Sequence, residues 1–267
     1  MLPSLYSFSL GVREGIAVIE LKNISAGYGR ERILDSISLT VPEGKLVSVI
    51  GANGSGKSTL LKTIVGIISP ESGDILIDDK PTTDLSRKDI AKRISYLCQG
   101  KSVPDMTVEQ MVMHGRFPYL KYPRKYSKID REIADRAIEE MGISALAERT
   151  MSSLSGGMRQ KAYIAMALTQ DTDYILLDEP TTFLDISGQL ELMRILRALT
   201  DNGKGIAAVM HDLPLAFSCS DSIAVLQNGR INACDTPQSI CQSGIVKSVF
   251  GVELGYCAEG DYYHYNI

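Results

Sequence analysis

The sequence predicts an α/β fold built around a parallel β-sheet, and three observations support this prediction. A short β-branched apolar run, Leu46 to Ile50, leads into a glycine-rich loop and a helical stretch, Lys57 to Ile67, which is a strand–loop–helix unit. Further strand-length apolar runs alternate with helical stretches in the second half of the chain, at 174–177, 187–199, 205–210, 213–219 and 222–226. A length of 267 residues suffices for one large α/β domain.

Two segments depart from this alternation. Residues 17–41 alternate apolar and polar side chains around a Gly-Tyr-Gly turn, which is typical of antiparallel strands. Residues 107–167 have helical periodicity, with one predicted helix face formed by Ile129, Ile133, Ala137 and Met141. The Asn228-Gly229 pair predicts a β-hairpin.

These patterns predict one domain with a loose extension before it. We expect an extension over 1–16 and a single domain over 17–267. Within that domain we expect an α/β core, a helical subdomain and a C-terminal tail, at 17–98 with 172–250, about 99–171, and 251–267. The tail is rich in tyrosine, and its sequence predicts no role.

Composition excludes several classes of protein. A formal net charge of −4 gives no electrostatic footprint for nucleic acid, and we interpret the cluster of Lys121, Arg124, Lys125 and Lys128 as a solvated face. The five cysteines have no C-x-x-C spacing and are interpreted as reduced thiols of a cytosolic protein. No apolar run approaches the roughly 18 residues of a membrane span, and residues 1–16 lack the features of a signal peptide.

The glycine-rich loop matches the P-loop pattern G-x-x-x-x-G-K-[ST] and lies between a predicted strand and a predicted helix. Its backbone N–H groups would bind phosphates, Lys57 would neutralise the β and γ phosphates of ATP, and Ser58 would bind Mg²⁺. The predicted nucleotide-binding residues are Gly51, Ala52, Asn53, Gly54, Ser55, Gly56, Lys57, Ser58 and Thr59. The alternative is a simple glycine turn.

An apolar strand, 174–177, ends in two carboxylates, as a Walker B strand does. Adjacent acids at a buried strand end are costly without a cation, so we predict that Asp178 binds Mg²⁺. Glu179 would then deprotonate the attacking water. The alternative is a pair of turn carboxylates ahead of Pro180.

A second phosphate-binding device is predicted at Leu154-Ser155-Gly156-Gly157, which precedes the helical run 161–168. One subunit does not need two phosphate sites for one nucleotide, so Ser155, Gly156 and Gly157 could serve a nucleotide held by another chain. The alternative is a capped helix start. This motif resembles the signature of ATP-binding cassette (ABC) proteins, in which two subunits sandwich two ATP molecules.

The resemblance extends from about residue 17 to residue 249 and implies roles for further residues in the family's order. Tyr28 resembles the aromatic residue that stacks on adenine, and Gln99 resembles the glutamine that contacts Mg²⁺ and senses the membrane partner. Asp185 resembles the aspartate that communicates across the dimer, and His211 resembles the switch histidine near the γ phosphate. Cys98 departs from the family, which usually has proline there, and Met158-Arg159 fill variable positions.

The resemblance implies an ATPase that acts as a homodimer on the cytoplasmic face of a membrane, bound to permease subunits and served indirectly by a substrate-binding protein. The segments 103–108 and 111–120 resemble the groove that receives a helix of the membrane subunit; the alternative is core packing. The wording of HGRFPYL, TTFLD and HDLPLAF resembles importers of iron chelates, haem or vitamin B12, while manganese and zinc importers share much of it.

Two other classes of protein remain as alternatives. A soluble ABC ATPase would serve iron–sulfur assembly, translation or DNA repair. The chain has neither the second cassette usual in translation factors nor the coiled-coil insert of repair proteins, so iron–sulfur assembly is the harder alternative to exclude. A nucleotide-binding regulator without catalysis is disfavoured by Glu179.

Overall fold

The computed structural model describes residues 18–98 and 103–266, and within these ranges the chain forms two main sheets with flanking helices. The strands are β1 (Val18–Tyr28), β2 (Glu31–Pro42), β3 (Leu46–Ile50), β4 (Ser72–Ile77), β5 (Lys80–Pro81), β6 (Ile94–Leu97), β7 (Tyr174–Asp178), β8 (Gly205–Val209), β9 (Ser222–Gln227), β10 (Arg230–Asp235), β11 (Glu253–Cys257) and β12 (Tyr262–Asn266). The helices are α1 (Lys57–Ile64), α2 (Arg87–Arg93), α3 (Val108–Met113), α4 (Lys128–Glu140), α5 (Gly156–Thr169), α6 (Ile186–Asp201), α7 (Leu213–Cys219), α8 (Pro237–Gln242) and α9 (Ile245–Phe250). Short 3₁₀ turns lie at Thr82–Asp84, His114–Tyr119, Ser144–Leu146 and Met151–Ser153.

The central sheet has the order β10-β9-β3-β8-β7-β6 and is parallel except for β10, which pairs antiparallel with β9. An antiparallel sheet, β2-β1-β4-β5, lies beside it, as the alternation in residues 17–41 predicts. The predicted hairpin is confirmed, with Asn228 and Gly229 at φ 50° and 73° between paired Gln227 and Arg230. The prediction of an α/β core with an antiparallel sheet is therefore confirmed.

The two faces of the central sheet contribute to two different hydrophobic cores. Strand β7 illustrates this, because Tyr174 and Leu176 pack with the antiparallel sheet and α1, whereas Ile175 and Leu177 pack with the helices on the other side. Side chains alternate along a strand, so both faces of a buried parallel strand must be apolar. The second core continues into α3, α4 and α5, so the helical segment shares its core with the sheet.

One predicted helix face is wrong. Ile129 is 66% exposed, whereas the buried positions of α4 and its end are Asp130, Ala134, Ala137, Ile138 and Met141. The face is rotated because the carboxylate of Asp130 accepts a hydrogen bond of 2.9 Å from the buried Arg116 guanidinium and also caps the helix start. Apolar periodicity alone does not reveal a buried ion pair.

Helix α1 ends at Ile64, three residues before the predicted end at Ile67. Gly66 has a φ of 75°, and its N–H donates to the carbonyl of Thr63. A glycine in the left-handed region just after the last turn is a common helix terminator. Residues 1–17 and Gln99 lie outside the described residues, so the predictions made for the extension and for Gln99 are not addressed.

Candidate active site

The P-loop lies between β3 and α1, the position that its sequence predicts. A Cβ at Gly51 would lie 2.2 Å from the carbonyl oxygen of Leu226, so only glycine allows this approach. Gly56 has a φ of 105° and is the residue before α1. The glycines of the motif therefore let the backbone pass from the strand into the helix in a loop whose N–H groups can face an anion.

Lys57 is buried, 6% exposed, and its ammonium donates to the carbonyl oxygens of Gly51 and Ala52 at 2.7 and 3.0 Å. Burial lowers the pKa of Lys57, and the charges of Glu179 and Asp178 oppose that shift. A buried cation beside phosphate-binding amides is well suited to a strongly anionic ligand.

Ser58 and Asp178 meet at the carboxyl ends of β3 and β7. The hydroxyl of Ser58 donates to Oδ1 of Asp178 at 3.1 Å, and Asp178 is only 3% exposed. Burial raises the pKa of Asp178, the hydrogen bond from Ser58 lowers it, and the charge of Glu179 raises it further, so that the net shift is upward. A cation at this point would offset the cost of the buried carboxylate.

Glu179 and His211 face each other because of the sheet register. Asp178 pairs with Val209 in the parallel β7–β8 ladder, so the residues just beyond both strand ends lie side by side. Nε2 of His211 is 2.6 Å from Oε1 of Glu179, and the hydroxyl of Thr182 donates to Oε2 of Glu179 at 3.4 Å. Glu179 has a φ of 54°, a conformation that residues other than glycine adopt at an energetic cost.

The loop after Glu179 and the signature loop are neighbours. A Cβ at Gly156 would lie 3.2 Å from the Cβ of Phe183, and the side-chain amide of Gln160 donates to the carbonyl of Pro180 at 2.9 Å. Ser155 is the N-cap of α5, where its hydroxyl accepts from the N–H of Met158 at 3.3 Å. The capped helix start weighed as an alternative is therefore present, and Ser155 is nevertheless exposed.

Two further predicted residues stand at element ends. Asp185 caps α6, and its Oδ1 accepts from the N–H of Gly188 at 2.8 Å. Tyr28 ends β1 with 51% of its surface exposed, as a stacking platform requires. Both are open to other interpretations, since a helix cap and a turn aromatic are also structural features.

Sequence reasoning missed Tyr96, whose hydroxyl donates to Oδ2 of Asp178 at 3.4 Å. Burial and the charge of Asp178 raise the pKa of Tyr96, so the phenol remains a hydrogen-bond donor. The parallel pairing of Tyr96 with Leu176 brings it near the end of β7. Its place on the strand immediately before Gln99 was the available signal.

Comparison with known proteins agrees with this geometry. The family model described as ABC transporter matches residues 34–182. A probable siderophore transport system ATP-binding protein of Bacillus subtilis is 39% identical over 89% of this chain and 87% of its own length. The ferric enterobactin transport ATP-binding protein of Escherichia coli is 36% identical over 90% of this chain and 89% of its own.

Solved structures extend the comparison. The dimeric structure of a post-hydrolysis state of an ATP-binding cassette, bound to ADP and Pi, superposes with a TM-score of 0.72 at 29% identity, covering 82% of this chain and 98% of that one. A P-loop between β3 and α1, beside a strand that ends in two acids, defines a nucleotide-binding hydrolase of the P-loop class. With these matches, the chain belongs to the ABC transporter family as one of its ATP-binding, ATP-hydrolysing cassettes.

Proposed function

We propose that this chain is the ATP-hydrolysing subunit of a membrane importer of iron chelates, such as ferric siderophores or haem, or of cobalamin. The observation that carries hydrolysis is the 2.6 Å approach of His211 to Glu179 at the end of β7, beside the P-loop. The similarity to transport proteins for siderophores and ferric enterobactin, along almost the whole chain, supports iron chelates as cargo.

Within one subunit we assign the roles as follows. Lys57 and the amides of the P-loop bind the phosphates, while Tyr28 stacks on the adenine. The carboxylate of Glu179 orients the attacking water and accepts its proton, and His211 orients that carboxylate. The positive φ of Glu179 supports this assignment, because costly backbone conformations concentrate at functional sites.

The donor set also fits a magnesium ion. The hydroxyl of Ser58 and the carboxylate of Asp178 are oxygen ligands of the kind Mg²⁺ prefers, and they lie 3.1 Å apart. Ser58 and Asp178 would hold the ion together with phosphate oxygens, where it would neutralise phosphate charge. Gln99 remains a sequence-based candidate for a further ligand.

We further propose that two copies close around two nucleotides, with Ser155, Gly156 and Gly157 of each copy binding the ATP of the other. An apolar patch supports this arrangement. It surrounds the starts of α5 and α6 and consists of Met158, Phe183, Ile186 and Leu190, which are 38%, 73%, 78% and 45% exposed. Large apolar side chains grouped on a surface are typical of a protein–protein interface. Asp185, which caps α6 beside this patch, would communicate between the two copies.

Replacing Ile186 by Glu is expected to prevent ATP-dependent dimerisation, because a carboxylate would have to be desolvated in the interface. The measurement is light scattering of the Glu179→Gln variant with ATP, with and without Ile186→Glu. Ile129→Glu is the matched control, since Ile129 is also exposed, at 66%, but lies on α4. Equal dimerisation of both Ile→Glu variants would contradict the assignment of this face.

The chain would be peripheral to the cytoplasmic face of the membrane and bound to permease subunits. Within the described ranges no helix is long and apolar enough to cross a bilayer. Much of the predicted docking segment is core, since Val108, Val112 and Met113 are buried. Val103 and Phe117 are 39% and 44% exposed, so we narrow the proposed docking surface to these two residues.

Purification of the tagged chain from detergent-solubilised membranes tests the transport role. We expect it to be recovered with a polytopic subunit, and the reconstituted complex, given its substrate-binding protein, to hydrolyse ATP faster with a ferric siderophore, haem or cobalamin. Zinc and manganese ions serve as cargo controls. A stable complex with soluble proteins alone would favour the iron–sulfur assembly alternative and contradict the proposal.

A further inference from the structure

The C-terminal hairpin of β11 and β12 packs against α7, the helix that follows His211. The ring of Tyr263 meets that of Phe217 edge-on, with centroids 5.4 Å apart, and both side chains are buried. The N–H of Tyr263 donates to the hydroxyl of Ser218 at 3.0 Å, and this hydroxyl donates to the carbonyl of Pro214 at 2.8 Å. The hairpin is thus joined to α7 by an aromatic contact and by hydrogen bonds. It lies beyond residues 34–182, the span that the family model matches.

The far end of β12 reaches the first turn of α7. The first amides of a helix have no partner inside the helix. Asp212 caps α7 by accepting from the N–H of Leu215 at 2.9 Å, which leaves the N–H of Leu213 to find another acceptor. That acceptor is the phenol oxygen of Tyr265. Burial and the charge of Asp212 raise the pKa of Tyr265, and the hydrogen bond with Leu213 opposes this shift.

This contact is two residues from His211 along the chain. The ring of His211 is itself 43% exposed, and its contact with Glu179 is a single approach of 2.6 Å. The orientation of such a ring depends on the backbone that carries it. That backbone runs from the end of β8 to the capped start of α7.

We propose that Tyr265 is a positioning residue for ATP hydrolysis: by holding the amide of Leu213, the hairpin fixes the start of α7 and with it the ring of His211 against Glu179. The inference rests on the proposed catalytic role of the Glu179–His211 pair. It gives the tyrosine-rich tail, to which the sequence assigned no role, a part in the chemistry.

Strand periodicity supplies a matched control. Tyr263 and Tyr265 are two residues apart on β12 and so point to the same side, towards α7. Tyr262 points to the opposite side and is 47% exposed. Tyr265→Phe and Tyr262→Phe therefore remove the same oxygen atom from the two faces of one strand.

The experiment measures steady-state ATP hydrolysis and thermal unfolding of the full chain. Tyr265→Phe is expected to lower kcat about fivefold, the worth of one ordinary hydrogen bond, with the KM for ATP unchanged because Tyr265 is remote from the P-loop in sequence and holds only the His211 segment. Tyr262→Phe should retain the wild-type kcat. A wild-type kcat in Tyr265→Phe overturns the proposal, as does a fall in kcat equal to that of Tyr262→Phe.

A double-mutant cycle then separates positioning from general destabilisation. The effect of Tyr265→Phe on the single-turnover rate should disappear in a His211→Ala background, because the group that it positions is gone. The same fold reduction in both backgrounds would overturn the inference. A wild-type chain that hydrolyses no ATP would instead refute the proposed function, so the two failures are distinguishable.

Discussion

Glu179→Gln is expected to bind ATP and dimerise normally while its kcat falls by a factor of about 10² to 10⁴, the usual contribution of a general base. Glutamine keeps the size of the side chain and an oxygen that can face Nε2 of His211, now 2.6 Å from the carboxylate. It cannot accept a proton from water. ATP affinity should persist because the phosphate contacts belong to the P-loop and Lys57, whose residues are unchanged.

Measurements of nucleotide affinity and of single-turnover hydrolysis check this expectation. Glu139→Gln is the matched control, since Glu139 is an exposed residue of α4 and the substitution removes the same charge. A Glu179→Gln chain with wild-type turnover would refute the role of general base. A chain that no longer binds ATP would show instead that the carboxylate supports the nucleotide site.

Local motifs explain how much of the site could be predicted from sequence. The P-loop, the strand ending at Asp178 and the Asn228-Gly229 hairpin all depend on residues adjacent in the chain, so their physical requirements are visible in the sequence. Glycines, a lysine and a strand of apolar residues must occur in one order for a phosphate loop to form.

Contacts between distant segments could not be predicted in the same way. The hydrogen bond from Tyr96 to Asp178 depends on the pairing of β6 with β7, and that of Tyr265 to Leu213 depends on how the hairpin folds back. The error at Ile129 has the same origin, because the partner of Asp130 is Arg116, fourteen residues earlier. Periodicity describes one element and does not identify its neighbour.

Burial also separates two interpretations that the sequence left open for residues 103–120. An apolar side chain predicts either core or interface, and its exposure decides between them. Val108 and Val112 are fully buried, so core packing explains them, whereas Val103 and Phe117 remain exposed and available. The apolar patch around Ile186 was not distinguishable from helix core in the sequence for the same reason.

Lys57→Met is expected to lower ATP affinity by a factor of about 100 or more, since charge-assisted hydrogen bonds contribute roughly 1.5–3 kcal/mol each and 1.4 kcal/mol is tenfold in affinity. The ammonium is 6% exposed and donates to the carbonyls of Gly51 and Ala52, so it lies within the loop that surrounds the phosphates. Methionine keeps the length of the side chain without the charge.

The fold should survive this change, because burial lowers the pKa of Lys57 and so disfavours its charged form in the folded state. Since a lowered lysine pKa means that the folded chain binds this proton less tightly than the unfolded chain, a neutral side chain removes a cost. Titration calorimetry with ATP measures the affinity, and thermal unfolding without nucleotide measures the stability. Lys128→Met is the control, because Lys128 is 91% exposed and lies on α4. Retention of wild-type affinity by Lys57→Met would contradict the phosphate-binding role, whereas lost affinity with unchanged unfolding temperature places the lysine's function in nucleotide binding alone.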